Sequence, residues 1–389
     1  MKSLRLILSN LIYFAPSWVF SSINILIGTW ILYIPFIKLK FALNDGEVGF
    51  ALFFTALGLL ITIPFIPKIN KRIGVGTSTK IGIFLLAIAF NFPLLAPNYI
   101  LLCASLMVVG VFSAFTDVSL NALTSTIEKR QQQNFMSAAH GFFSLGGFVG
   151  AGIGSLFISQ FSNPQLHMGI ISVFVMITNL FLSKNYAFVV GDKKEKSTKN
   201  LSFFKSIKPL LALAIIAFIV MFNEGAVEHW SNLFLFDIVK VSESKAGLGF
   251  IIFSLTMTIG RFLGDGFSQQ LGSRKTIVFS TIIAFVGYLF IIMSSLTFSV
   301  LGFGLLGFGL SVIIPEVYRI AGNNKDLETS FAISIVSGIG FVGFLVGPVI
   351  LGAISNFSSL VISYVFLSIL IIIAFGLGLF GLKKKVDNV

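Results

Sequence analysis

The chain has 389 residues and a net charge of +12, and 56% of its residues are apolar against 11% charged. Soluble domains balance these two classes far more evenly, so this composition, with a mean hydropathy of +0.98, excludes a soluble globular protein. The single cysteine, Cys103, excludes an internal disulfide and a metal site built from clustered thiolates. The composition therefore predicts an integral membrane protein.

Apolar runs long enough to cross a hydrocarbon core of ~30 Å as helices recur along the whole chain. In the first half we predict spans at Leu11–Ile37, Val48–Ile66, Thr77–Ala96, Tyr99–Thr126, Phe135–Ser159 and Met168–Leu182. In the second half we predict them at Leu210–Phe236, Ala246–Phe267, Thr276–Ser295, Phe298–Ile320, Thr329–Ile354 and Leu360–Leu382. The predicted fold class is an all-α membrane protein with twelve transmembrane helices.

Basic residues are distributed unevenly between the two sides of the predicted bundle. With the N-terminus in the cytoplasm, the Lys and Arg residues that fall in external loops are Lys38, Lys40, Lys240 and Lys245. All others lie in the termini, in cytoplasmic loops or at cytoplasmic helix ends, which is the positive-inside asymmetry of an N-in, C-in protein. The basic balance therefore indicates contact with anionic lipid and not with nucleic acid.

The first span carries an amide between two indoles, since Asn24 lies between Trp18 and Trp30. Amides beside aromatic faces suit a polyol or sugar ring, so Asn24 and Trp30 are candidate substrate-binding residues. An alternative interpretation is structural, because aromatic belts and amide bonds between helices also place these residues in membrane spans.

The fourth span contains Asp117 and Asn121, which share one helical face because they are four residues apart. An ionisable group at mid-span costs roughly 2.5–3.5 kcal/mol on insertion scales, so it normally faces the bundle interior and has a function. The alternative is a structural acid paired with a basic residue. Glu128 lies at the cytoplasmic end beside Lys129 and Arg130, where we expect a surface ion pair.

The fifth span begins near His140, which is either a site residue or an ordinary histidine at a helix start. Its end, "GAGIGSLFISQFS" from Gly150, resembles "GPVILGAISNFS" from Gly347 in the eleventh span. This echo predicts a duplicated six-helix unit, with the basic segment 184–208 between bundles at 1–183 and 209–389. Two such bundles suggest a cavity between halves that rock about a midplane site.

The seventh span holds a second polar cluster, "FNEGAVEHWSN", in which Glu224 and Glu228 share a face at four-residue spacing. Carboxylates inside a span are typical of proton relays, so both are candidates for proton coupling together with Asp117. Three neighbours, Asn223, His229 and Trp230, join Asn121 as candidate substrate-binding residues. Alternatively, Glu228 and His229 face an external vestibule. We predict no metal site, because a second ligand histidine at suitable spacing is missing.

Twelve spans, a six-plus-six repeat and a central basic loop together resemble the major facilitator superfamily over the entire chain. The superfamily signature between spans 2 and 3 survives as "PKINKRIG", which keeps Arg72 and Gly74 but has Lys71 where an aspartate is expected. Its counterpart, "GRFLGDGFSQQLGSRK", carries its acid at Asp265, one turn earlier than usual. The resemblance implies a cytoplasmic charge relay that locks one conformation.

We expect Arg72, Arg261 and Asp265 to belong to this conformational gate, with Arg261 and Asp265 paired on one helical face. The alternative is that these charges only set topology, as we expect for Arg319 at the cytoplasmic end of span 10.

Within the superfamily, "DVSLN" in span 4 is similar to the D/E-x-x-x-N pattern of fucose:proton symporters, and Glu224 six residues before Trp230 also resembles that subgroup. So does "VIIPEVYRIAGN" in span 10, a pattern frequent in little-characterised bacterial inner-membrane relatives. The resemblance implies that Asp117 carries the coupling proton, with Glu224 and Asn121 near the substrate. One departure is Asn24, which stands where that subgroup has an acid.

The sequence thus predicts a secondary active transporter and not an enzyme, since it has no Gly-rich phosphate loop outside its apolar spans. The expected activity is proton-coupled symport of a small polar, sugar-like solute by alternating access, driven by the proton gradient without a bound cofactor. The alternative is a proton-coupled exporter or antiporter of drugs, metabolites or a cation. We expect a monomer in the bacterial cytoplasmic (inner) membrane.

Overall fold

The protein is described by a computed structural model that covers residues 2–43, 45–153, 163–191, 208–241, 245, 247–324 and 326–382. The secondary structure of these residues is helical, and no strand occurs among them. Most of the expected linker 184–208 and the basic stretch Lys383–Lys385 lie outside the described residues. The bundle boundaries therefore stay a prediction.

We number the spanning helices α1 to α12 in chain order. The first six are α1 Leu11–Ile31, α2 Asp45–Thr62, α3 Val75–Ala89, α4 Tyr99–Gln131, α5 Met136–Gly147 and α6 Pro164–Leu182. The second six are α7 Leu211–Leu233, α8 Leu248–Leu271, α9 Ser273–Ile292, α10 Leu296–Leu310, α11 Thr329–Phe357 and α12 Leu360–Gly376. Two of these helices continue after a turn, α2 as Ile66–Ile73 and α10 as Ile313–Gly322.

Eleven helices in the described part of the chain are long and apolar enough to cross a membrane. The remaining predicted span corresponds to α5, which continues as the π-helical segment Phe148–Ile153 and whose outer end, 154–162, is not among the described residues. The twelve predicted spans therefore agree with the structure as far as it is described. The prediction extended span 1 too far, because α1 ends at Ile31 and a new short helix, Ile34–Lys40, starts with a proline in its first turn.

Polar caps begin several helices at the end of the bundle that the charge pattern predicts to be external. The Asn98 side chain accepts a hydrogen bond from the backbone N–H of Leu101 at the start of α4. Asn163 caps α6 in the same way, and Ser359 caps α12. These side chains satisfy N–H groups that a helix leaves unpaired in its first turn, so each helix starts where its sequence supplies a cap.

Close glycine contacts pair equivalent helices in the two halves. A Cβ added to Gly146 of α5 would lie 2.2 Å from the carbonyl oxygen of Ser21 in α1. In the second half, a Cβ added to Gly343 of α11 would lie 2.3 Å from the carbonyl oxygen of Phe218 in α7. Small residues let the backbones of membrane helices approach closely, so α1–α5 and α7–α11 are matching tight pairs.

Two turns show the same duplication. Gly74 joins α2 to α3 with φ of +88°, and Gly272 joins α8 to α9 with φ of +79°. Residues with a side chain rarely adopt this conformation, so both turns require glycine. Each half also has its own apolar core, one around Phe20 and Leu120 and the other around Phe222 and Tyr288. The fold is thus built from two six-helix units with equivalent packing.

Candidate functional site

Asp117 lies in α4 and engages only one of its carboxylate oxygens. Its Oδ1 accepts a hydrogen bond of 3.2 Å from Nδ2 of Asn121, which also donates at 2.9 Å to the Asp117 carbonyl oxygen. Its Oδ2 is buried and has no hydrogen-bond partner among the described residues. Among the described residues Asp117 forms no ion pair with a basic side chain, so the structural alternative is not observed there. An acceptor atom therefore remains open inside the membrane.

His140 joins the Asp117–Asn121 pair and lies near the interface between the two halves. Its Nε2 lies 3.0 Å from Oδ1 of Asn121. Its ring lies between Phe20 of α1, with centroids 4.7 Å apart, and Tyr318 of the second part of α10, with centroids 6.2 Å apart. His140 was interpreted as either a site residue or an ordinary histidine at a helix start. Its contact with Asn121 favours the first interpretation.

Glu224 faces the first half through an arginine of α8. Nη2 of Arg261 lies 3.3 Å from Oε1 of Glu224, and Nη1 donates a 2.6 Å hydrogen bond to Oγ of Ser144 in α5. Nε of Arg261 is buried and has no partner among the described groups. Glu228 lies one turn further along α7 and is exposed. Arg261 therefore links the two halves, since it bonds Glu224 in the second half and Ser144 in the first.

The expected pair of Arg261 and Asp265 is not what the structure shows. Asp265 is fully buried and accepts hydrogen bonds from the backbone N–H groups of Ser137 and Ala138, in the first turn of α5. Its other partner is Arg319, at 2.6 Å. The two residues have different partners because the long Arg261 side chain reaches Glu224 of α7, whereas the shorter Asp265 side chain reaches the start of α5.

The surface ion pair expected for Glu128 is wrong, and Arg319, which was expected only to set topology, is buried as well. Arg319 is 4% exposed and Glu128 is 6% exposed. The helix α4 runs to Gln131, five residues past the predicted end, and this places Glu128 under the start of α5, where its Oε1 accepts from the N–H groups of Phe135 and Met136. The same carboxylate receives two 2.9 Å hydrogen bonds from Arg319.

A single guanidinium thus holds three carboxylates. The remaining donors of Arg319 bond Glu316, one turn earlier on the same helix, and Oγ of Ser268, at 3.0 Å. All five N–H donors of Arg319 are therefore used. We call Glu128, Asp265, Ser268, Glu316 and Arg319 the seam cluster, since Glu128 belongs to the first half and the others to the second. The sequence analysis missed this cluster. The signal that could have indicated it is the pair Glu316 and Arg319, three residues apart within an apolar run.

The other candidate residues lie outside the group formed by Asp117, Asn121 and His140. Asn24 donates a 2.9 Å hydrogen bond to the carbonyl oxygen of Phe143 and so joins α1 to α5. Trp30 is buried in the first half, where it lines a small apolar pocket with Leu106. Arg72 is exposed. For Asn24 and Trp30 the contacts fit the structural interpretation.

The remaining side chains of the α7 cluster pack within the second half. Asn223 accepts a 2.5 Å hydrogen bond from the hydroxyl of Tyr288, and Nε1 of Trp230 donates at 3.1 Å to the carbonyl oxygen of Pro348. His229 is exposed, with Nδ1 2.7 Å from the carbonyl oxygen of Gly225 on its own helix. Among the described residues, no group of three or more His, Cys, Asp or Glu side chains is placed so that it could hold a metal ion.

The sequence profile of the Major Facilitator Superfamily matches residues 10–239 and 213–388, which together cover almost the whole chain. The chain belongs to the Major Facilitator Superfamily. An uncharacterised transporter of this superfamily from Yersinia pestis is 27% identical over 338 residues, which cover 87% of each chain. The membrane protein MosC of Rhizobium meliloti is 26% identical over 86% of this chain and 81% of its own.

Solved structures of the superfamily share the fold. FucP, the fucose:proton symporter of E. coli, matches with a TM-score of 0.77 at 14% identity over 94% of this chain and 98% of its own. The human organic anion transporter MFSD10 (TETRAN) matches with a TM-score of 0.73 at 13% identity over 97% of this chain and 100% of its own. The protein is therefore a multi-pass membrane transporter of this superfamily.

In this transporter, hydrogen bonds between the halves concentrate on the predicted cytoplasmic side. Besides the seam cluster, Nδ2 of Asn70 donates to Oγ of Ser330 at 3.3 Å, and Nζ of Lys129 donates to Oγ1 of Thr329 at 2.7 Å. Both pairs join the first half to the start of α11. The described residues therefore show a transporter closed at this end, with the acids of α4 and α7 on the other side of the closure.

Proposed function

We propose that the protein is a proton-coupled symporter that imports a small polar, sugar-like solute across the bacterial cytoplasmic membrane. The observation that carries this proposal is Oδ2 of Asp117, which is buried at the centre of α4 and has no hydrogen-bond partner among the described residues. A buried carboxylate without a counter-ion is stabilised when it binds a proton, because the neutral acid avoids most of the desolvation cost. An acid in this position suits a carrier that takes up and releases a proton in each transport cycle.

The substrate would bind between the halves, near the buried atoms of Asp117 and Arg261 that have no hydrogen-bond partner among the described residues. Oδ2 of Asp117 offers an acceptor, and Nε of Arg261 offers a donor. Glu224 holds Arg261 in place from α7, and the exposed Glu228 offers a second carboxylate one turn away. A solute rich in hydroxyl groups, which both donate and accept, matches such a mixed set better than an apolar drug does.

Alternating access would use the closure on the predicted cytoplasmic side as its gate. The seam cluster and the pairs that hold the start of α11 would separate when the halves rock. In this scheme the described conformation receives proton and solute from outside. Asp265 is a gate residue, and Arg261 connects the gate to the central acids because it bonds Ser144 and Glu224 above Asp265.

The test is uptake by purified protein in liposomes under an imposed proton gradient. Labelled neutral monosaccharides serve as probes, starting with L-fucose because FucP is a fucose symporter. We expect Asp117→Asn to lose gradient-driven uptake while exchange of the same probe across the membrane continues, because exchange needs no net proton movement. The control is Asp237→Asn, which removes an exposed acid in the segment Phe234–Ile238 that follows α7. Full gradient-driven uptake by Asp117→Asn would contradict the proposal.

A second candidate is export of organic anions by proton antiport. It is favoured by Arg261, whose buried Nε has no partner in the part of the chain that the structure describes, and by the fold shared with MFSD10, an organic anion transporter. The two functions differ in which probe moves and in which direction. Benzoate expelled from liposomes in exchange for protons, with no response to monosaccharides, would establish the antiporter and refute sugar symport.

A further inference from the structure

The hydrogen bonds around Asn121 determine which atom of its side-chain amide faces each neighbour. Two oxygen atoms of Asp117, the carbonyl oxygen and Oδ1, lie at 2.9 and 3.2 Å from Nδ2. Both are acceptors, so the NH₂ group of Asn121 must face Asp117 and uses both of its hydrogens there. The amide oxygen then faces His140, 3.0 Å away.

This orientation fixes the proton position on the imidazole. Oδ1 of Asn121 can only accept, so Nε2 of His140 must carry the hydrogen and donate it. Two guanidiniums lie near His140: Arg261 of α8 bonds Ser144, one turn further along α5, and Arg319 follows Tyr318, whose ring contacts His140. A further positive charge between them, in a ring that is only 9% exposed, is unfavourable, so the imidazole is neutral.

A directional chain follows, in which His140 donates to Asn121 and Asn121 donates to Asp117. Hydrogen bonds in such a chain strengthen one another in a medium of low dielectric constant. The chain supplies Oδ1 of Asp117 with a donor and supplies none to Oδ2. The ring itself is held by Phe20 on α1 and by Tyr318 from the other half.

We propose that His140 is a positioning residue for the proton site: through the amide of Asn121 it keeps one oxygen of Asp117 hydrogen-bonded and leaves the other open to the transported proton. This inference rests on the proposed function, since it assumes that Asp117 binds a proton in the transport cycle. His140 touches neither the proton nor the solute and acts only through Asn121.

Two substitutions separate the donor from the shape of the ring. His140→Phe keeps an aromatic ring between Phe20 and Tyr318 but has no N–H group. His140→Gln carries an amide N–H at about the distance of Nε2 from the backbone, so it restores the donor without the ring. If His140 served only to pack against its neighbours, His140→Phe would behave more like the original protein. If His140 positions Asn121 through its N–H group, His140→Gln would do so.

The experiment follows the protonation of Asp117 directly, by infrared spectroscopy of the protein in liposomes as the pH is varied. The carboxylic-acid band of Asp117 is the one that disappears in Asp117→Asn. A hydrogen bond to the ionised form favours ionisation, so its weakening lets Asp117 keep its proton to higher pH. We expect His140→Phe to move the midpoint of this band upwards by about one pH unit or more, and His140→Gln to keep the original midpoint.

The outcomes separate this inference from the proposed function. A titrating Asp117 band with the same midpoint in the original protein and in His140→Phe would overturn the role of His140 and leave the proton site intact. A protein with no titrating Asp117 band would refute the proton site itself. If His140→Phe does not fold, Asn121→Leu removes the middle member of the chain and is expected to give the same upward displacement, and an unchanged midpoint there would also overturn the inference.

Discussion

Arg319 joins the second half to Glu128 of the first half, and its chemistry explains why an arginine is needed. Its fork bonds Glu128 through Nε and Nη2 together, which is a bidentate arrangement that a lysine ammonium cannot reproduce. The same group also bonds Asp265 at 2.6 Å. A buried ion pair gives little net stability in general, because desolvation of the charges offsets their attraction. We therefore expect the seam cluster to specify which conformation forms more than it stabilises the fold.

Asp265→Asn is expected to weaken the closed conformation at the predicted cytoplasmic side. An asparagine side chain loses the charge and directs an NH₂ group at neighbours that are all donors, the backbone of Ser137 and Ala138 and the guanidinium of Arg319. Loss of one charge-assisted hydrogen bond, about 1.5 kcal/mol, shifts a two-state equilibrium by about tenfold.

This shift can be measured by cysteine labelling, because Cys103 is the single cysteine of the chain. In a Cys103→Ser background, Ser330→Cys places a thiol at a buried position of the closure, next to Asn70. We expect a maleimide to label it about tenfold faster when Asp265→Asn is added. Asp237→Asn serves as the control and should leave the rate unchanged. Equal rates with and without Asp265→Asn would show that Asp265 does not hold the closure.

Spacing along one helix predicted the Asp117–Asn121 pair but not the partners of Arg261 and Asp265, and partners on different helices could not be predicted from the sequence. The Asp117–Asn121 pair follows from helical spacing alone, and the structure confirms it at 3.2 Å. Glu128 and Arg319 meet across 191 residues of chain. Their contact depends on how far α4 extends and on how the halves pack, and hydropathy carries no information on either.

At the scale of elements, helix positions followed from apolar length, and the errors arose at their ends. The span prediction ended α4 at Thr126 because polar residues follow, yet the helix continues to Gln131, and its residues Ile127 and Glu128 are buried within the protein. Glycines were the more reliable local signal. The turns at Gly74 and Gly272 stand at matching places in the two halves and have the same unusual backbone conformation.

Gly272→Ala is expected to destabilise the turn between α8 and α9. A side chain at φ of +79° costs of order 1–3 kcal/mol, because the Cβ meets the adjacent backbone. We expect a lower Tm for the detergent-purified variant. Gly266→Ala is the matched control, because an added Cβ at this helical position in α8 meets nothing within 4 Å. A Tm of Gly272→Ala equal to that of the control would contradict the strained-turn explanation.

At the scale of the molecule, the duplication was visible in the sequence as one repeated glycine pattern, and the structure extends it to tight helix pairs and turns. The charge pattern adds an orientation that the fold alone does not supply. The seam cluster, the start of α11 and the basic helix ends all lie at one end of the bundle. The positive-inside rule predicts that this end is cytoplasmic.

This orientation can be tested with one thiol on each side in the Cys103→Ser background. Phe357→Cys lies at the predicted external end of α11, where Phe357 is 90% exposed. Gln131→Cys lies at the opposite end, at the last residue of α4. We expect a membrane-impermeant maleimide to label Phe357→Cys in intact cells and Gln131→Cys only after permeabilisation. The reverse pattern would invert the topology and with it the direction of the proposed transport cycle.

The composition of the seam cluster also determines what remains on each side when the halves part. The first half retains Glu128, still bound to the N–H groups of Phe135 and Met136. The second half retains Arg319 with Asp265 and Glu316. With its carboxylates ionised, each fragment of the seam cluster carries one net negative charge, so the two fragments repel each other as water enters between them. A simple ion pair would draw the halves back together, whereas this cluster divides into fragments of like charge that favour completion of the opening.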